Sequence, residues 1–352
     1  MEIEIAGTLP DGRKVKRFLL SNSQGMTAEI LEYGCILQSL KAPDRNGVYE
    51  DVTLGHQHLE DWLGNPGYFN AVVGRFAGRI GKGHLRIQDQ EYALPVNHFT
   101  EAGDSHLHGG ERGLTKRLWK GEALEDGEGV GLTYHSPDGE EGYPGNLEVT
   151  ATYELREDNA LVLTMQGEVD APSILNMASH TYWNLSGDPG TDILDHELTL
   201  NADEFLELGA SIVPTGAILQ VDNTPFDFRQ PTPVGLRIQE DHEQLKLAGG
   251  YDHYWIFGES KSSRQVARFK DPKSGRVLEL ETNQPGVVCY TGNHLGKPGR
   301  FKQVDQYRPH SGLCLETQNY PDAPSHAHFP SCLLAPGERY HHVMVHRFLT
   351  ET

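Results

Sequence analysis

Alternation of apolar and polar residues with a period of two constrains the fold of this chain more than any other feature of its sequence. The pattern is clearest in six segments, namely 2–7, 130–136, 147–155, 161–169, 196–202 and 276–282. A period of two is typical of a β-strand with one buried face. Turn-forming clusters, such as PDRNG at 43–47 and DPKSG at 271–275, punctuate these segments and favour hairpins. The sequence therefore predicts an all-β, antiparallel fold.

Helical periodicity is scarce. Residues 234–247 could form two or three helical turns, and one more turn is expected near His58. Strands and helices do not alternate, which argues against a doubly wound parallel sheet. A chain of 352 residues could hold two domains or one large all-β domain, but no Pro/Gly/Ser-rich linker or fixed-period repeat divides it. We therefore expect a single domain, residues 1–352, built as a large antiparallel β-sandwich with few short helices.

The charge balance restricts the partners. Asp and Glu number 50 against 30 Lys and Arg, and the resulting net charge of −20 would repel a nucleic-acid backbone. No stretch approaches the roughly 18 consecutive apolar residues of a membrane span. The first 20 residues lack the basic and then apolar regions of a signal peptide, so a cytoplasmic location is predicted. Nucleic acid and membrane are thus not expected as partners, and the sequence carries no signal for an oligomeric state.

The cysteines do not indicate a disulfide framework. Cys35, Cys289, Cys314 and Cys332 are far apart, form no C-x-x-C pair and lie in apolar stretches. We interpret them as buried free thiols, because small buried thiols are common in cores.

The candidate motifs for cofactors and metals are incomplete. The glycine-rich run 74–83 has Phe76 where a Walker A loop needs glycine, and no Ser or Thr follows Lys82. Three histidine pairs could share a strand face or a turn, but none has a third ligand at a diagnostic spacing; they are His106 with His108, His326 with His328, and His341 with His342. The sequence therefore predicts neither a metal nor a cofactor.

Six segments combine ionisable groups, aromatic residues and glycine, namely 70–80, 106–119, 176–187, 250–257, 283–293 and 312–324. Glu316 in LCLETQ and Asp252 beside Tyr251 are carboxylates embedded in apolar sequence, which are costly to bury unless they are paired. Aromatic rings beside hydrogen-bonding side chains suit a sugar, which offers both CH faces and hydroxyls. These segments are therefore candidates for a carbohydrate site.

With these segments in this order, the sequence resembles the aldose 1-epimerase, or galactose mutarotase, family. The similarity extends over essentially the whole chain and includes PTG at 214–216, VDNTPFDFR at 221–229 and LLAPGERYHH at 333–342. The resemblance implies a galactose mutarotase-like β-sandwich with an open cleft on one face. It also implies an isomerase that needs no cofactor and interconverts the α and β anomers of a free monosaccharide.

The resemblance implies roles for particular residues. Opening a pyranose ring requires a base for the anomeric hydroxyl proton and an acid for the ring oxygen. Glu316 matches the family's general base and His180 its general acid. His108 matches a second histidine near the ring oxygen. The substrate-binding set is completed by Arg79, Asp252 and Gln284. We expect burial to raise the pKa of Glu316 and a neighbouring carboxylate to favour the protonated form of His180.

One position departs from the family pattern. The residue before Arg79 is usually Asn in the family, whereas this chain has Gly78. The substitution removes an amide that would contact sugar hydroxyls, and such contacts enforce discrimination between epimers. Galactose, glucose, xylose, arabinose and a glycan fragment therefore all remain candidate substrates.

Three alternative functions stay open on the sequence alone. A hexose-6-phosphate 1-epimerase would need extra Arg or Lys around the cleft to bind the phosphate. A glycoside hydrolase could use Asp252 and Glu316 as its carboxylate pair. A non-catalytic sugar-binding protein would keep the fold without the chemistry, although the presence of both Glu316 and His180 argues against it.

Overall fold

Strands dominate this computed structural model, which describes residues 1–125 and 127–352. In the first third of the chain they are β1 (Glu2–Thr8), β2 (Lys14–Ser21), β3 (Thr27–Leu31), β4 (Ile36–Pro43), β5 (Tyr49–Asp51), β6 (Val72–Val73), β7 (Arg79–Gly81), β8 (His84–Ile87), β9 (Gln90–Ala93), β10 (His98–Thr100), β11 (Gly103–Leu107) and β12 (Lys120–Ala123). In the middle they are β13 (Gly129–Ser136), β14 (Leu147–Leu155), β15 (Ala160–Val169), β16 (Ser173–Ile174), β17 (Ala178–Ser179), β18 (Tyr182–Trp183), β19 (Glu197–Leu200), β20 (Glu204–Leu208), β21 (Pro214–Gln220) and β22 (Thr232–Pro233). The C-terminal strands are β23 (Asp252–Ile256), β24 (Arg264–Lys270), β25 (Arg276–Thr282), β26 (Gly286–Tyr290), β27 (Leu313–Gln318), β28 (Leu333–Leu334) and β29 (Tyr340–Thr350).

Three sheets form the body of the molecule. The strand orders are β1-β2-β3-β4-β5, β12-β13-β14-β15-β29-β25-β24-β19-β22 and β18-β27-β26-β23-β20-β21. Every strand pair in these sheets is antiparallel. The prediction of an all-β antiparallel sandwich is confirmed, and each of the six alternating segments of the sequence forms a strand.

One apolar core joins the three sheets. Its buried members come from the five-stranded sheet (Phe18, Ile30), the nine-stranded sheet (Leu163, Leu278) and the six-stranded sheet, which contributes Trp255. The burial pattern of β14 alternates strictly between buried and more exposed positions, as expected for a strand with one face in this core. Since the same core extends along the chain to Phe348, it favours the single-domain interpretation.

The six-stranded sheet uses its second face to build a site. In β27, Leu315 points into the core, and its neighbour Glu316 therefore lies on the opposite face. The same alternation in β23 sends Trp255 into the core and Asp252 to the other face. Both faces of β27 are buried, so its carboxylate lies inside the protein instead of at its surface.

The helices are short. They are α1 (Leu59–Trp62), α2 (Glu243–Ala248) and four 3₁₀ turns at Leu114–Lys116, Glu140–Gly142, Val234–Leu236 and Ala323–Ser325. The turn expected near His58 is present as α1, but the helix expected over 234–247 is not continuous. Arg237 lies outside helical geometry, and its guanidinium donates to the backbone carbonyls of Thr224 and Asp227. α2 then ends at Gly249, whose φ of 68° is the left-handed conformation that glycine adopts readily.

Two further expectations can be compared with the structure. All four cysteines are buried and free, as predicted. Within the described residues, no helix has both the length and the apolar character that would carry it across a membrane.

Candidate active site

A cavity of about 540 Å³ opens on the outer face of the six-stranded sheet. This volume is in the range typical of small-molecule sites. Five of the six residues singled out by the sequence line it, namely Arg79, His108, His180, Asp252 and Glu316. Segments far apart in the chain supply them: β7, the residue after β11, the link between β17 and β18, β23 and β27.

His180 and Glu316 face each other at the bottom of the cavity. The Nε2 atom of His180 lies 3.6 Å from Oε1 of Glu316, and the two side chains are only 6% and 3% exposed. This distance is too long for a hydrogen bond, so neither side chain donates to the other or accepts from it. Both remain available to a bound molecule.

Backbone hydrogen bonds fix the position of His180. Its N–H donates to the carbonyl of Ala71, and its carbonyl accepts from the N–H of Asn70. The Asn70 side chain in turn accepts from the N–H of Tyr182 and donates to the carbonyl of Leu54. The loop that carries the histidine is therefore held to the segment around residue 70 by main-chain contacts.

The pKa of Glu316 is raised well above its usual range, as expected. Burial is the main cause, the charge of Asp252 adds to it, and Arg79 opposes it. Its Oε2 atom has no hydrogen-bond partner among the described residues, so nothing stabilises the carboxylate at that oxygen. The free site thus favours the protonated carboxyl group.

The expectation for His180 is wrong. Burial lowers its pKa to about 4, and Arg79 pushes in the same direction. The neighbouring carboxyl does not reverse this, because burial also raises the pKa of Glu316 and so disfavours its charged form. In the free site, burial therefore favours the neutral imidazole and the neutral carboxyl over their charged forms, and this arrangement carries one proton for transfer.

His108 completes the group of titratable side chains at the cavity floor. Its ring centroid lies 5.1 Å from that of His180, and burial keeps its pKa well below the usual value. Its Nδ1 atom accepts a hydrogen bond from the N–H of Gly78 at 3.2 Å. The neutral ring must then hold its proton on Nε2, which makes that nitrogen a hydrogen-bond donor.

This tautomer bears on metal binding. His108, His180 and Glu316 each place one potential ligand atom within 4.8 Å of the others, a donor set of the type that catalytic zinc sites use. A metal-bound histidine normally donates its second ring N–H to an acceptor, whereas Nδ1 of His108 faces the donor N–H of Gly78. The surroundings of His108 therefore do not fit a metal ligand.

Asp252 and Arg79 form an ion pair on the cavity wall. Nη2 of Arg79 lies 3.4 Å from Oδ2 of Asp252, with side-chain exposures of 16% and 11%. Burial raises the pKa of Asp252, and the guanidinium opposes the shift. The guanidinium and the carboxylate offer donors and acceptors side by side, as vicinal sugar hydroxyls require.

The structure separates Gln284 from the other five residues. It follows β25, its amide nitrogen contacts Oδ1 of Asn283 at 3.4 Å, and it lies outside the described lining of the cavity. Gln284 precedes β26, and the first residue of β26 in the described cavity lining is Val288, which pairs with Glu316 on β27. Gln284 therefore lies before the point at which this strand reaches the cavity.

The cavity lining also contains residues that the sequence analysis did not single out, among them Tyr68 and Gln318. The ring centroid of Tyr68 lies 4.7 Å from that of His108 and 6.0 Å from that of His180. Gln318, two residues after Glu316, presents a fully buried amide at the wall. The period-two pattern of LCLETQ could have revealed Gln318, because it places residues 316 and 318 on one face. No sequence signal marks Tyr68.

Comparisons with known proteins agree with this geometry. The family model described as Aldose 1-epimerase matches residues 16–347. The galactose mutarotase of Rattus norvegicus is 41% identical over 345 residues, which cover 98% of this chain and 97% of that protein. The aldose 1-epimerase of Escherichia coli K12 is 31% identical over 352 residues, 99% of each chain.

Solved structures extend the similarity to three dimensions. The galactose 1-epimerase of Lactobacillus acidophilus NCFM superposes with a TM-score of 0.85 at 29% sequence identity, over 100% of this chain and 99% of the other. The resemblance found in the sequence is thus confirmed over nearly the whole length of the protein. This chain belongs to the aldose 1-epimerase family of isomerases.

Proposed function

We propose that this protein interconverts the α and β anomers of a free monosaccharide, with His180 and Glu316 as its proton-transfer pair. The observation that carries the assignment is the opposition of these two buried groups across 3.6 Å, with no hydrogen bond between them. An anomeric centre needs one group that accepts a proton and another that donates one. The family relationship supports the same reaction class.

In the ring-opening step, the carboxylate of Glu316 removes the proton from the O1 hydroxyl, and C1 and O1 form the aldehyde carbonyl. The bond between C1 and the ring oxygen breaks, and the ring oxygen takes the proton of the His180 imidazolium. The pair thereby passes from imidazolium and carboxylate to neutral imidazole and carboxyl. After rotation about C1–C2, the reverse transfers close the ring on the other face of the aldehyde.

Both charge distributions of the pair contain the same number of protons. The free site favours neutral imidazole and carboxyl, the state reached when the ring is open. A bound sugar lies against both groups, and one proton redistributed between them generates the ring-opening state. The fixed Nε2–H of His108 supplies a further donor to a sugar oxygen, and Asp252 and Arg79 hold hydroxyls.

The pH dependence of turnover follows from the requirement that the His180–Glu316 pair holds one proton. Below the pKa of His180, about 4, the pair holds two protons and lacks a base. Above the raised pKa of Glu316 it holds none and lacks an acid. We expect a bell-shaped profile of kcat/KM for the free enzyme, with an acid limb near pH 4 and an alkaline limb well above the usual range of a glutamate. Initial rates measured in low-concentration buffers across this range test it, and an alkaline limb near pH 4.5 would contradict it.

The alternatives receive less support. Of the three Arg and Lys side chains in the described cavity lining, Arg79 is paired with Asp252 and Arg300 with Asp61, so a phosphate would meet only Lys297 as a cation without an ion pair. Glu316 faces two histidines, and Asp252 pairs with an arginine, so the carboxylates are not arranged as an isolated hydrolase pair. A purely binding protein would not need the opposed acid and base.

The decisive test is polarimetry of freshly dissolved α-D-galactose, α-D-glucose and α-D-xylose, each with and without the protein at low buffer concentration. We expect faster approach to the same final rotation, because a catalyst changes the rate and leaves the equilibrium unchanged. The ranking of the sugars reports the specificity. If no free sugar responds, the proposal fails, and phosphorylated sugars are the next substrates to assay.

A single domain, a cytoplasmic location and a small-molecule sugar as partner remain proposals. The continuous core supports the first. The cavity volume and its polar floor support the last.

A further inference from the structure

Gln318 is a buried polar residue in the cavity wall. It ends β27 on the same face as Glu316, and its side chain is completely buried. In the register of the sheet, Glu316 lies opposite Val288 and Gln318 lies opposite Gly286. The Gln318 amide therefore lies two residues farther along β27 than the catalytic carboxyl of Glu316.

Its amide is unsatisfied in the described part of the chain. Neither Oε1 nor Nε2 of Gln318 has a hydrogen-bond partner there. The residue's backbone carbonyl, by contrast, accepts from the hydroxyl of Tyr254 at 3.0 Å, so the strand itself is well anchored. A buried amide without partners is destabilising, and native proteins rarely retain one without a reason. A bound molecule that bonds to the amide supplies that reason.

Gly78 lies directly beside this amide. A Cβ atom at residue 78 would approach Nε2 of Gln318 to 3.4 Å and Cβ of Pro321 to 3.1 Å. Residue 78 is also the position at which the family resemblance implies an asparagine. With no side chain at residue 78, the Gln318 amide is the side-chain hydrogen-bonding group at this point of the wall, and residue 78 keeps a φ of 77° that asparagine also tolerates.

We propose that Gln318 hydrogen-bonds a hydroxyl of the bound sugar, in place of the missing side chain at residue 78, and determines which epimers are preferred. This inference rests on the proposed mutarotase function and deepens it. An amide built to bond a particular hydroxyl rejects sugars in which that hydroxyl is absent or inverted, because its own groups then stay buried and unpaired. Gly78 therefore shifts the specificity contact to Gln318 instead of removing it.

The first test compares the parent with Gln318→Met, which keeps the length of the side chain and removes its hydrogen bonds. We expect kcat/KM for the preferred sugar to fall roughly tenfold, the value of one to two lost hydrogen bonds. The preference between epimers should shrink by a similar factor. A panel of monodeoxy sugars identifies the hydroxyl: the analogue that lacks it should react equally well with the parent and the variant.

Gln38→Met is the matched control. Gln38 is also buried, and its Oε1 also lacks a partner among the described residues, but it lies outside the cavity lining. We expect its substitution to leave the ranking of sugars unchanged. A change in ranking with this variant would overturn the assignment to Gln318, since the effect would then follow from any buried glutamine.

A rescue experiment tests whether an amide at residue 78 can replace the amide of Gln318. Gln318→Ala removes the amide and opens space, and Gly78→Asn added to it supplies an amide from the neighbouring position. We expect the double variant to regain part of the epimer preference lost in Gln318→Ala. Gly78→Asn alone should reduce kcat/KM, because it crowds Pro321 and Gln318.

The outcomes separate the two proposals. A parent that accelerates no sugar overturns the mutarotase function, and the inference falls with it. An active parent whose epimer ranking is unchanged in Gln318→Met overturns the inference alone. If thermal unfolding shows that Gln318→Met does not fold, Gln318→Asn keeps a shortened amide. The inference then requires an altered epimer ranking in that variant, and a parental ranking would overturn it.

Discussion

Glu316→Gln is expected to reduce mutarotase turnover by about 10³-fold, the scale of general acid–base catalysis by one group. The amide has the shape of the carboxyl but cannot accept the O1 proton or return it. Sugar binding should stay within a few-fold of the parent, because the cavity outline and the Arg79–Asp252 pair are untouched. Polarimetric kcat and KM, together with calorimetric titration of a sugar that lacks the anomeric hydroxyl, measure the two effects separately.

The same variant should be at least as stable as the parent at neutral pH. A carboxyl whose folded-state pKa is raised stabilises the fold fully only below its unfolded-state pKa, and this stability is lost as the pH rises through the folded-state value. Glutamine has no such dependence. We therefore expect an unchanged or higher Tm at pH 7 and a smaller decrease of Tm between pH 5 and pH 8.

A glutamine variant with near-parental turnover would remove Glu316 from the mechanism.

Glu32→Gln provides the control for buried carboxylates. Glu32 is 5% exposed and bonds to backbone N–H groups of Lys16 and Gly121, far along the chain from the cavity strands. Its substitution should lower Tm through weakened hydrogen bonds while kcat stays at the parental level. Inactivity in both variants would indicate that loss of turnover reflects unfolding.

His180→Asn is expected to lower kcat by about 10²-fold or more, since the variant loses the group that exchanges a proton with the ring oxygen. Asparagine can still donate a hydrogen bond from a similar place, but it cannot carry a proton. Residual activity should exceed that of Glu316→Gln, because the Nε2–H of His108 remains as a donor to a sugar oxygen. The acid limb of the pH profile near pH 4 should disappear with the imidazole.

His346→Asn is the matched control for this substitution. His346 is buried like His180, and burial also lowers its pKa to about 4, but it lies on β29, packs against Trp183 and is outside the described lining of the cavity. We expect parental kcat/KM and an unaltered acid limb from this variant. If His180→Asn retains the acid limb instead, another group must titrate there and the acid assignment is incorrect.

Local sequence patterns sufficed for six strands, one in the five-stranded sheet and five in the nine-stranded sheet. The alternation in segments such as 147–155 arises from side chains that point to opposite faces of a strand, a property of the backbone that needs no tertiary information. The helical periodicity of 234–247 was misleading by comparison. Side-chain contacts of Arg237 with distant carbonyls break that helix, and such contacts are invisible in a local window.

Within the site, five of the six residues that the ordered motifs predicted line the cavity. Gln284 lies outside the described lining; motif matching gives a position in the chain, whereas entry into the cavity depends on where β26 begins. Gln318 and Tyr68 were missed because their significance lies in what surrounds them: an amide without partners and a ring against two histidines.

The sequence by itself determined the fold class and the family, and through the family resemblance it predicted the acid and the base. These properties depend on periodicity and on ordered residue types, which the linear chain contains in full. Only the tertiary structure decided the directions of the pKa shifts in the pair, the tautomer of His108 and the proximity of Gly78 to Gln318. Each of these depends on burial and on atoms brought together from distant strands, and desolvation and hydrogen bonding act over distances that only the folded chain defines.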